Sequence, residues 1–189
     1  MTLPSHLLES LAAEAVREGL ADAVFAHVDT PLGRLLVVEG PEGVCRVAFP
    51  EEPEDAVLAG VAGILGARVL ASRRQLEPVT DALESYLEGD TAELELPVDL
   101  RLVRQPFRRR VLEALHGEVP RGEVVTDGGL AARAGRAGAA RAAGTACARN
   151  PVPLVVPCHR VVPGGGGIGN YGGGAERKRA LLELEGALR

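Results

Sequence analysis

The chain has 189 residues, of which 46% are apolar and 25% charged, so it is long enough for one large domain or two small ones with a hydrophobic core. Charged residues interrupt the apolar residues near the N-terminus, and no apolar run approaches the roughly 20 residues of a membrane span. These features argue against a secretion signal and a membrane partner, and they predict a globular cytoplasmic protein.

The charges divide unevenly along the chain. Residues 1–100 hold 6 Arg against 19 acidic residues, whereas residues 101–189 hold 15 basic residues against 7 acidic ones. A basic half that is rich in Arg fits a surface that contacts phosphates, because guanidinium binds phosphate in a planar fork. Genome composition is an alternative explanation for the preference for Arg over Lys.

The cysteines and histidines give no sign of a metal site or a disulfide framework. The three cysteines, Cys45, Cys147 and Cys158, form no CxxC pair. The four histidines lack the paired spacing of metal ligands. We therefore expect neither a structural metal nor a disulfide.

The first half predicts a small antiparallel sheet flanked by helices. Apolar residues at helical spacing predict an amphipathic helix over residues 5–19 that packs on the rest of the domain. Strands are predicted at 23–28, 34–38 and 43–49, and helices at 56–71 and 75–87. Residues 1–100 then form an acidic scaffold domain, and the extended, Pro-containing segment 94–106 is a linker.

Residues 101–189 are predicted to form a basic, helical domain. Its helices are predicted at 107–116, 130–134, 137–148 and 175–186. The second and third of these, joined by a turn at Gly135, match a helix-turn-helix pattern. The third consists almost entirely of Ala, Gly and Arg, so its backbone can approach a DNA groove closely; tight packing inside the protein is the alternative.

The pentapeptide Pro-Cys-His-Arg-Val at 157–161 carries the clearest indication of chemistry. It follows the apolar run 152–156, which predicts a buried strand ending at a turn. A cysteine is a nucleophile only as thiolate, and the neighbouring His159 and Arg160 are predicted to lower the pKa of Cys158. For an isolated Cys-His pair, a small buried structural cysteine is the alternative.

Three linked motifs in this order resemble the O6-alkylguanine-DNA alkyltransferases, also called methylated-DNA–protein-cysteine methyltransferases. They are Asn-Pro-Val-Pro-Leu-Val-Val-Pro-Cys-His-Arg-Val-Val at 150–162, Gly-Asn-Tyr-Gly-Gly-Gly at 169–174 and Leu-Leu-Glu-Leu-Glu-Gly at 181–186. The resemblance covers residues 107–186 strongly and residues 30–49 weakly. It implies an α/β (α+β) fold whose C-terminal domain carries a winged helix-turn-helix-like DNA-binding motif.

The resemblance implies irreversible transfer of an alkyl group from O6 of guanine in double-stranded DNA to Cys158, with O4-alkylthymine as a further candidate substrate. His159 would take the thiol proton through a water molecule, Glu185 would orient the imidazole, and Asn150 would brace the turn that bears the cysteine. The protein would act once, as a monomer, without a metal or another cofactor.

The resemblance also assigns residues to DNA binding. Arg141 matches the residue that inserts into the base stack when the damaged nucleotide is flipped out. The other assigned positions are Ala140, Gly144 and Arg160 for DNA contact, and Asp127, Val161, Tyr171, Gly172 and Gly173 for the base pocket.

Two positions depart from the family pattern, and a third lacks the residue of a general helix-capping motif. Asp127 replaces a Tyr that assists flipping, and its charge near a phosphate is unfavourable. Gly172 replaces a frequent Ser, and Gly129 replaces the Glu of a capping box, which predicts a weak helix start. Asp127 leaves open a second hypothesis, a paralogue that binds or flags alkylated DNA with little or no transfer. A transcriptional regulator is a weaker third, because the sequence indicates no effector domain.

Overall fold

The computed structural model describes residues 5–91 and 93–188, and the chain forms two compact units. The first unit comprises the residues up to Ser85 together with Glu95–Leu102, and the second comprises Tyr86–Leu94 and the residues from Val103 onward. The predicted α+β class is confirmed. The domain boundary at residue 100 stays a prediction. Within the described residues, no helix combines the length and the apolar character needed to cross a membrane.

The first unit contains a mixed four-stranded sheet. Its strands are β1 (Ala23–Thr30), β2 (Gly33–Gly40), β3 (Gly43–Ala48) and β4 (Val69–Ala71), and its helices are α1 (Ser5–Arg17), α2 (Glu54–Leu65) and α3 (Arg73–Glu88), whose last residues belong to the second unit. The strand order is β3-β2-β1-β4. The predicted antiparallel pairing holds for β1 to β3, but β4 pairs parallel with β1.

The helix predicted over 56–71 is wrong in its second half, because the chain turns at Gly66. Gly66 has φ +132°, and a Cβ there would overlap the carboxylate of Asp22. Asp22 also accepts hydrogen bonds from the backbone N of Arg68 at 3.0 Å and from its guanidinium at 2.6 Å. These contacts end the helix and direct the chain into β4.

The core of the first unit lies between the sheet and one face of α2. Its buried residues are Ala23, Leu36, Val38, Cys45, Ala48, Val57 and Val61. Burial raises the pKa of the Cys45 thiol to about 12, so Cys45 is a packing residue. The first helix packs less than predicted, because Ala12 is buried but Leu7 and Leu11 are exposed.

The segment predicted as a linker is partly joined to the sheet. Val98 forms a parallel bridge with Val44 of β3. The backbone N of Val44 donates to the carbonyl of Pro97 at 2.8 Å, and the backbone N of Asp99 donates to Val44 at 2.9 Å. Residues 95–102 therefore extend the edge of the sheet beyond β3.

The second unit combines a helix-turn-helix with a short parallel strand pair and a C-terminal helix. Its elements are α4 (Pro106–Glu118), β5 (Val125–Thr126), α5 (Asp127–Arg133), α6 (Ala140–Ala148), β6 (Val161–Val162) and α7 (Ala175–Leu184). Helices α5 and α6 form the predicted helix-turn-helix, and each begins three residues from its predicted start. The pairing of β5 with β6 departs from the predicted all-helical domain.

The start of α5 is capped, although the sequence lacks the Glu of a capping box. The Thr126 hydroxyl accepts a hydrogen bond from the backbone N of Gly129 at 3.1 Å. A cap of this kind contributes about 1 kcal/mol. It offsets part of the low helix propensity of Gly128 and Gly129, which is roughly 1 kcal/mol each relative to Ala. The helix therefore begins at Asp127, which fixes the position of that side chain.

We expect Gly43→Ala to lower the free energy of unfolding by more than about 2 kcal/mol. Gly43 has φ +132°, and a Cβ there would lie 2.3 Å from the carbonyl oxygen of Pro97. This backbone cannot move away without disturbing the bridge between Val44 and Val98. Denaturant titration measures the change.

Gly60→Ala is the matched control for this substitution. Gly60 lies within α2, and no atom lies within 4 Å of the position of a Cβ. The control should stabilise the protein by up to about 1 kcal/mol, because Ala has the higher helix propensity. A Gly43→Ala protein as stable as the wild type would contradict the close packing of residues 95–102 on β3.

Candidate active site

The turn that carries Cys158 is held by Asn150. Its Nδ2 donates to the carbonyl oxygen of Val156 at 2.8 Å and to the sulfur of Cys158 at 3.1 Å, and its Oδ1 accepts from the backbone N of Val152 at 3.0 Å. The predicted strand over 152–156 is wrong, because Leu154 has φ +75° and the segment forms buried turns. The side-chain amide of Asn150 thus holds both ends of the loop 152–156 and the thiol of Cys158.

The thiol of Cys158 is buried at the start of a short 3₁₀ helix, Cys158–Arg160. Burial raises its pKa to about 11, although the hydrogen bond from Asn150 and the ammonium of Lys178 act in the opposite direction. The prediction of a lowered pKa is therefore wrong. Burial therefore favours the neutral thiol, so a base is needed to generate a thiolate.

The carboxylate of Glu185 is the centre of a buried polar cluster. Nε2 of His159 lies 2.9 Å from Oε1, and Arg160 donates from Nη2 to Oε1 at 2.9 Å and from Nε to Oε2 at 3.0 Å. The hydroxyl of Tyr86 donates to the same Oε1. None of the four residues is more than 7% exposed. This cluster contains the predicted pair of base and orienting carboxylate.

The cluster keeps Glu185 ionised and His159 neutral. Burial acts to raise the pKa of Glu185, but hydrogen bonds from His159 and Arg160 outweigh it and lower the pKa to about 2. Burial lowers the pKa of His159 more than Glu185 raises it. An ionised carboxylate only accepts, so the proton lies on Nε2. Nδ1 is then an acceptor, and it has no hydrogen-bond partner among the described residues.

Arg160 is not available for the DNA contact predicted for it. The residue is 5% exposed, and its guanidinium is bound to Glu185 and, through Nη1, to the carbonyl of Val119 at 2.6 Å. A guanidinium buried in this way cannot reach a phosphate. Arg160 is instead the counter-ion that holds the carboxylate in place.

Sequence reasoning missed two side chains of the site. Tyr86 lies near the end of α3, 99 residues before Glu185, and no local pattern links them. Lys178 is 1% exposed, and its Nζ donates to the carbonyl oxygens of Val161 at 2.6 Å and Asn170 at 3.2 Å. It is the single lysine of the sequence, in a half whose other basic residues are all Arg. A single lysine in an otherwise Arg-only basic half is the sequence feature that could have identified Lys178.

A pocket of about 480 Å³ opens beside the thiol of Cys158. Its wall contains four of the predicted pocket residues, namely Asp127, Val161, Tyr171 and Gly172. The fifth, Gly173, does not line the pocket; its carbonyl accepts a hydrogen bond from Arg177 at 3.0 Å. Asp127 and Lys178 are the charged residues of the wall.

The helix α6 runs beside the pocket and exposes small side chains. Ala143 and Ala146 are buried, whereas Arg141 is exposed and Ala140, at the start of the helix, is half-buried. Gly144 lines the pocket, as do two further α6 residues, Cys147 and Ala148. Because so little side chain projects from it, α6 can lie close to another backbone.

Both halves of the chain match models of one protein family. Residues 106–187 match the model described as the 6-O-methylguanine DNA methyltransferase DNA binding domain. Residues 23–100 match the model described as the ribonuclease-like domain of the same methyltransferase.

The relatives carry a consistent description. A methylated-DNA–protein-cysteine methyltransferase of Mycobacterium bovis is 46% identical over 105 residues, and that of Salmonella typhimurium is 43% identical over 110 residues. These alignments cover 56% and 58% of this chain and 62% and 63% of the relatives. The crystal structure of Mycobacterium tuberculosis OGT in complex with DNA matches with a TM-score of 0.74 and 32% identity, covering 87% of this chain and 93% of that chain.

We expect Tyr86→Phe to lower the free energy of unfolding at pH 7 by about 1.5–3 kcal/mol, the usual contribution of a hydrogen bond to a charged group. The hydroxyl helps to lower the pKa of Glu185, so its loss moves that pKa back towards 4.5. Stability from a carboxylate with a lowered pKa is present above pH 4.5 and is lost as the pH falls towards 2. In the variant this loss should be complete at a higher pH, which denaturant titrations at a series of pH values measure.

Glu185→Gln is the control, because it removes the titrating group. Its stability should depend less on pH between 4.5 and 2, and it should be lower at pH 7 because Arg160 loses its buried counter-ion. A Tyr86→Phe protein with the stability and pH dependence of the wild type would show that the hydroxyl does not act on Glu185.

Proposed function

The chain belongs to the 6-O-methylguanine DNA methyltransferase family, and on this basis we propose that it repairs DNA by moving an alkyl group from O6 of guanine to Cys158. The observation that carries the proposal is the chain of groups at the site. A buried thiol beside a pocket is followed by a neutral imidazole, His159, whose Nε2 lies 2.9 Å from the carboxylate of Glu185.

The reaction begins with proton removal, because burial keeps Cys158 in the thiol form. His159 takes this proton at Nδ1 through a water molecule, and Glu185 stabilises the imidazolium that forms. The thiolate then attacks the alkyl carbon: the S–C bond forms while the C–O bond breaks, and the electron pair goes to the guanine. The guanine takes up one proton, which balances the proton lost by the thiol. The thioether has no leaving route, so each molecule acts once.

The substrate is delivered by the helix-turn-helix. An alkyl group on O6 lies inside the stacked duplex, so the nucleotide must rotate out, at a cost of a few kcal/mol. The exposed Arg141 on α6 fills the vacated space, and the small residues of this helix allow it to lie in the minor groove. The partner is double-stranded DNA that contains O6-alkylguanine. The protein acts as a monomer in the cytoplasm without a cofactor.

A second candidate function is recognition of alkylated DNA with little transfer. Asp127 favours it, because this carboxylate lines the pocket at the position where the family pattern has a Tyr. The buried Cys158, His159 and Glu185 favour transfer, since a protein that only binds DNA has no chemical need of a base next to a thiol.

Incubation with a duplex containing O6-methylguanine is expected to add about 14 Da to the wild type, since a methyl group replaces one proton on sulfur. Cys158→Ser should gain nothing. Cys147→Ser is the matched control, because Cys147 lines the same pocket but burial raises its pKa to about 12. This control should gain the same mass as the wild type. Intact-mass spectrometry decides, and an equal gain on Cys158→Ser would contradict the proposal.

The two candidate functions are separated by Asp127→Tyr, which restores the residue of the family pattern. If the protein transfers alkyl groups, single-turnover transfer should be measurable both in the wild type and in this variant. The same mass measurement, taken over time, gives the two rates. Transfer that occurs only in the variant would show that the natural protein is mainly a binder.

A further inference from the structure

We propose that Asp127 selects the base by accepting a hydrogen bond from the exocyclic 2-amino group of alkylated guanine, so that the pocket disfavours alkylated thymine. The inference rests on the proposed alkyl transfer and concerns the substrate class of the same site. Two features of the Asp127 carboxylate support it: its position in the pocket wall and its lack of a hydrogen-bond donor among the described residues.

The carboxylate of Asp127 lies at the wall of the pocket, over the backbone of α6. A Cβ built on Gly144 would come within 3.0 Å of Oδ1 of Asp127, which is tighter than ordinary van der Waals contact. Because Gly144 has no side chain, the carboxylate of Asp127 can lie close to the backbone of α6 at this residue. Both residues line the same cavity as Cys158.

Within residues 5–91 and 93–188, no group donates a hydrogen bond to the carboxylate of Asp127. Lys178, the other charged residue of the wall, directs two hydrogen bonds from its Nζ to backbone carbonyls. Burial lowers the pKa of Lys178, and its neighbours Cys158 and Asp127 act in the opposite direction. Asp127 thus keeps an acceptor for a ligand in the pocket.

The chemistry of the alkylated bases decides which ligand fits this acceptor. An ionised carboxylate accepts hydrogen bonds but donates none. Alkylation at O6 removes the N1 proton of guanine and leaves the 2-amino group as the donor on its Watson–Crick edge. Alkylation at O4 removes the N3 proton of thymine and leaves that edge without a donor. A thymine lesion would therefore displace water from Asp127 without replacing its hydrogen bond, which is unfavourable.

The test compares three duplexes that carry O6-methylguanine, O6-methylhypoxanthine or O4-methylthymine. The first two lesions differ only in the 2-amino group. We expect the wild-type chain to transfer methyl from guanine at least about tenfold faster than from hypoxanthine, as a hydrogen bond to a charged group implies. Transfer from thymine should be slower than from either purine.

Variants at position 127 assign this preference to the carboxylate. In Asp127→Ala the rate ratio between guanine and hypoxanthine should fall close to one. Asp127→Asn retains an acceptor oxygen and should keep more of the ratio than the alanine variant. Glu176→Ala is the matched control, because it removes one exposed acidic residue of α7 that does not line the pocket, and it should leave the ratio unchanged.

Equal transfer from guanine and hypoxanthine by the wild type would overturn the inference, as would an unchanged ratio in Asp127→Ala. Failure of the wild type to transfer from any of the three duplexes would instead contradict the proposed function. In that event the affinities of the same three duplexes for Cys158→Ser decide the role of Asp127: a preference for guanine supports it, and equal binding refutes it.

Discussion

The buried carboxylate of Glu185 fixes the geometry of the site, because three separate parts of the chain meet at it. Tyr86 comes from α3, His159 and Arg160 from the turn after the reactive cysteine, and Glu185 itself follows α7. Arg160 also binds the carbonyl of Val119, at the end of α4. Removing one charged partner from such a buried ion pair typically costs about 3–5 kcal/mol. The orientation of the imidazole is therefore tied to the packing of several helices.

The parts of the fold that depend on local pattern are predictable from the sequence. The helical spacing and the glycine turn that predict α5 and α6 involve neighbouring residues, and the structure contains both helices. Strand β4 is not predictable in this way, since it exists only through pairing with β1 and through the contact between Gly66 and Asp22. Residues 95–102 likewise acquire their structure from Val44, far away in the sequence.

Side-chain contacts in the site are also not predictable from local sequence pattern alone. Cys158, His159 and Arg160 are adjacent in sequence, but the imidazole and the guanidinium both bind Glu185 and not the thiol. Adjacency therefore does not lower the pKa of Cys158, which burial raises. Sequence motifs point to Cys158 and His159 as the candidate nucleophile and base. Burial, which decides the charge state of the nucleophile and the role of Arg160, comes from the tertiary structure.

The high pKa of Cys158 has a consequence for the proposed transfer, in which each molecule would act once. An exposed thiolate is readily oxidised or alkylated, and alkylation by a soluble electrophile would remove the molecule irreversibly. Burial keeps Cys158 protonated and largely inaccessible, and both conditions disfavour such side reactions. Burial of the thiol thus lowers the fraction present as thiolate, and in the proposed reaction it would reserve the one turnover for a substrate bound in the pocket.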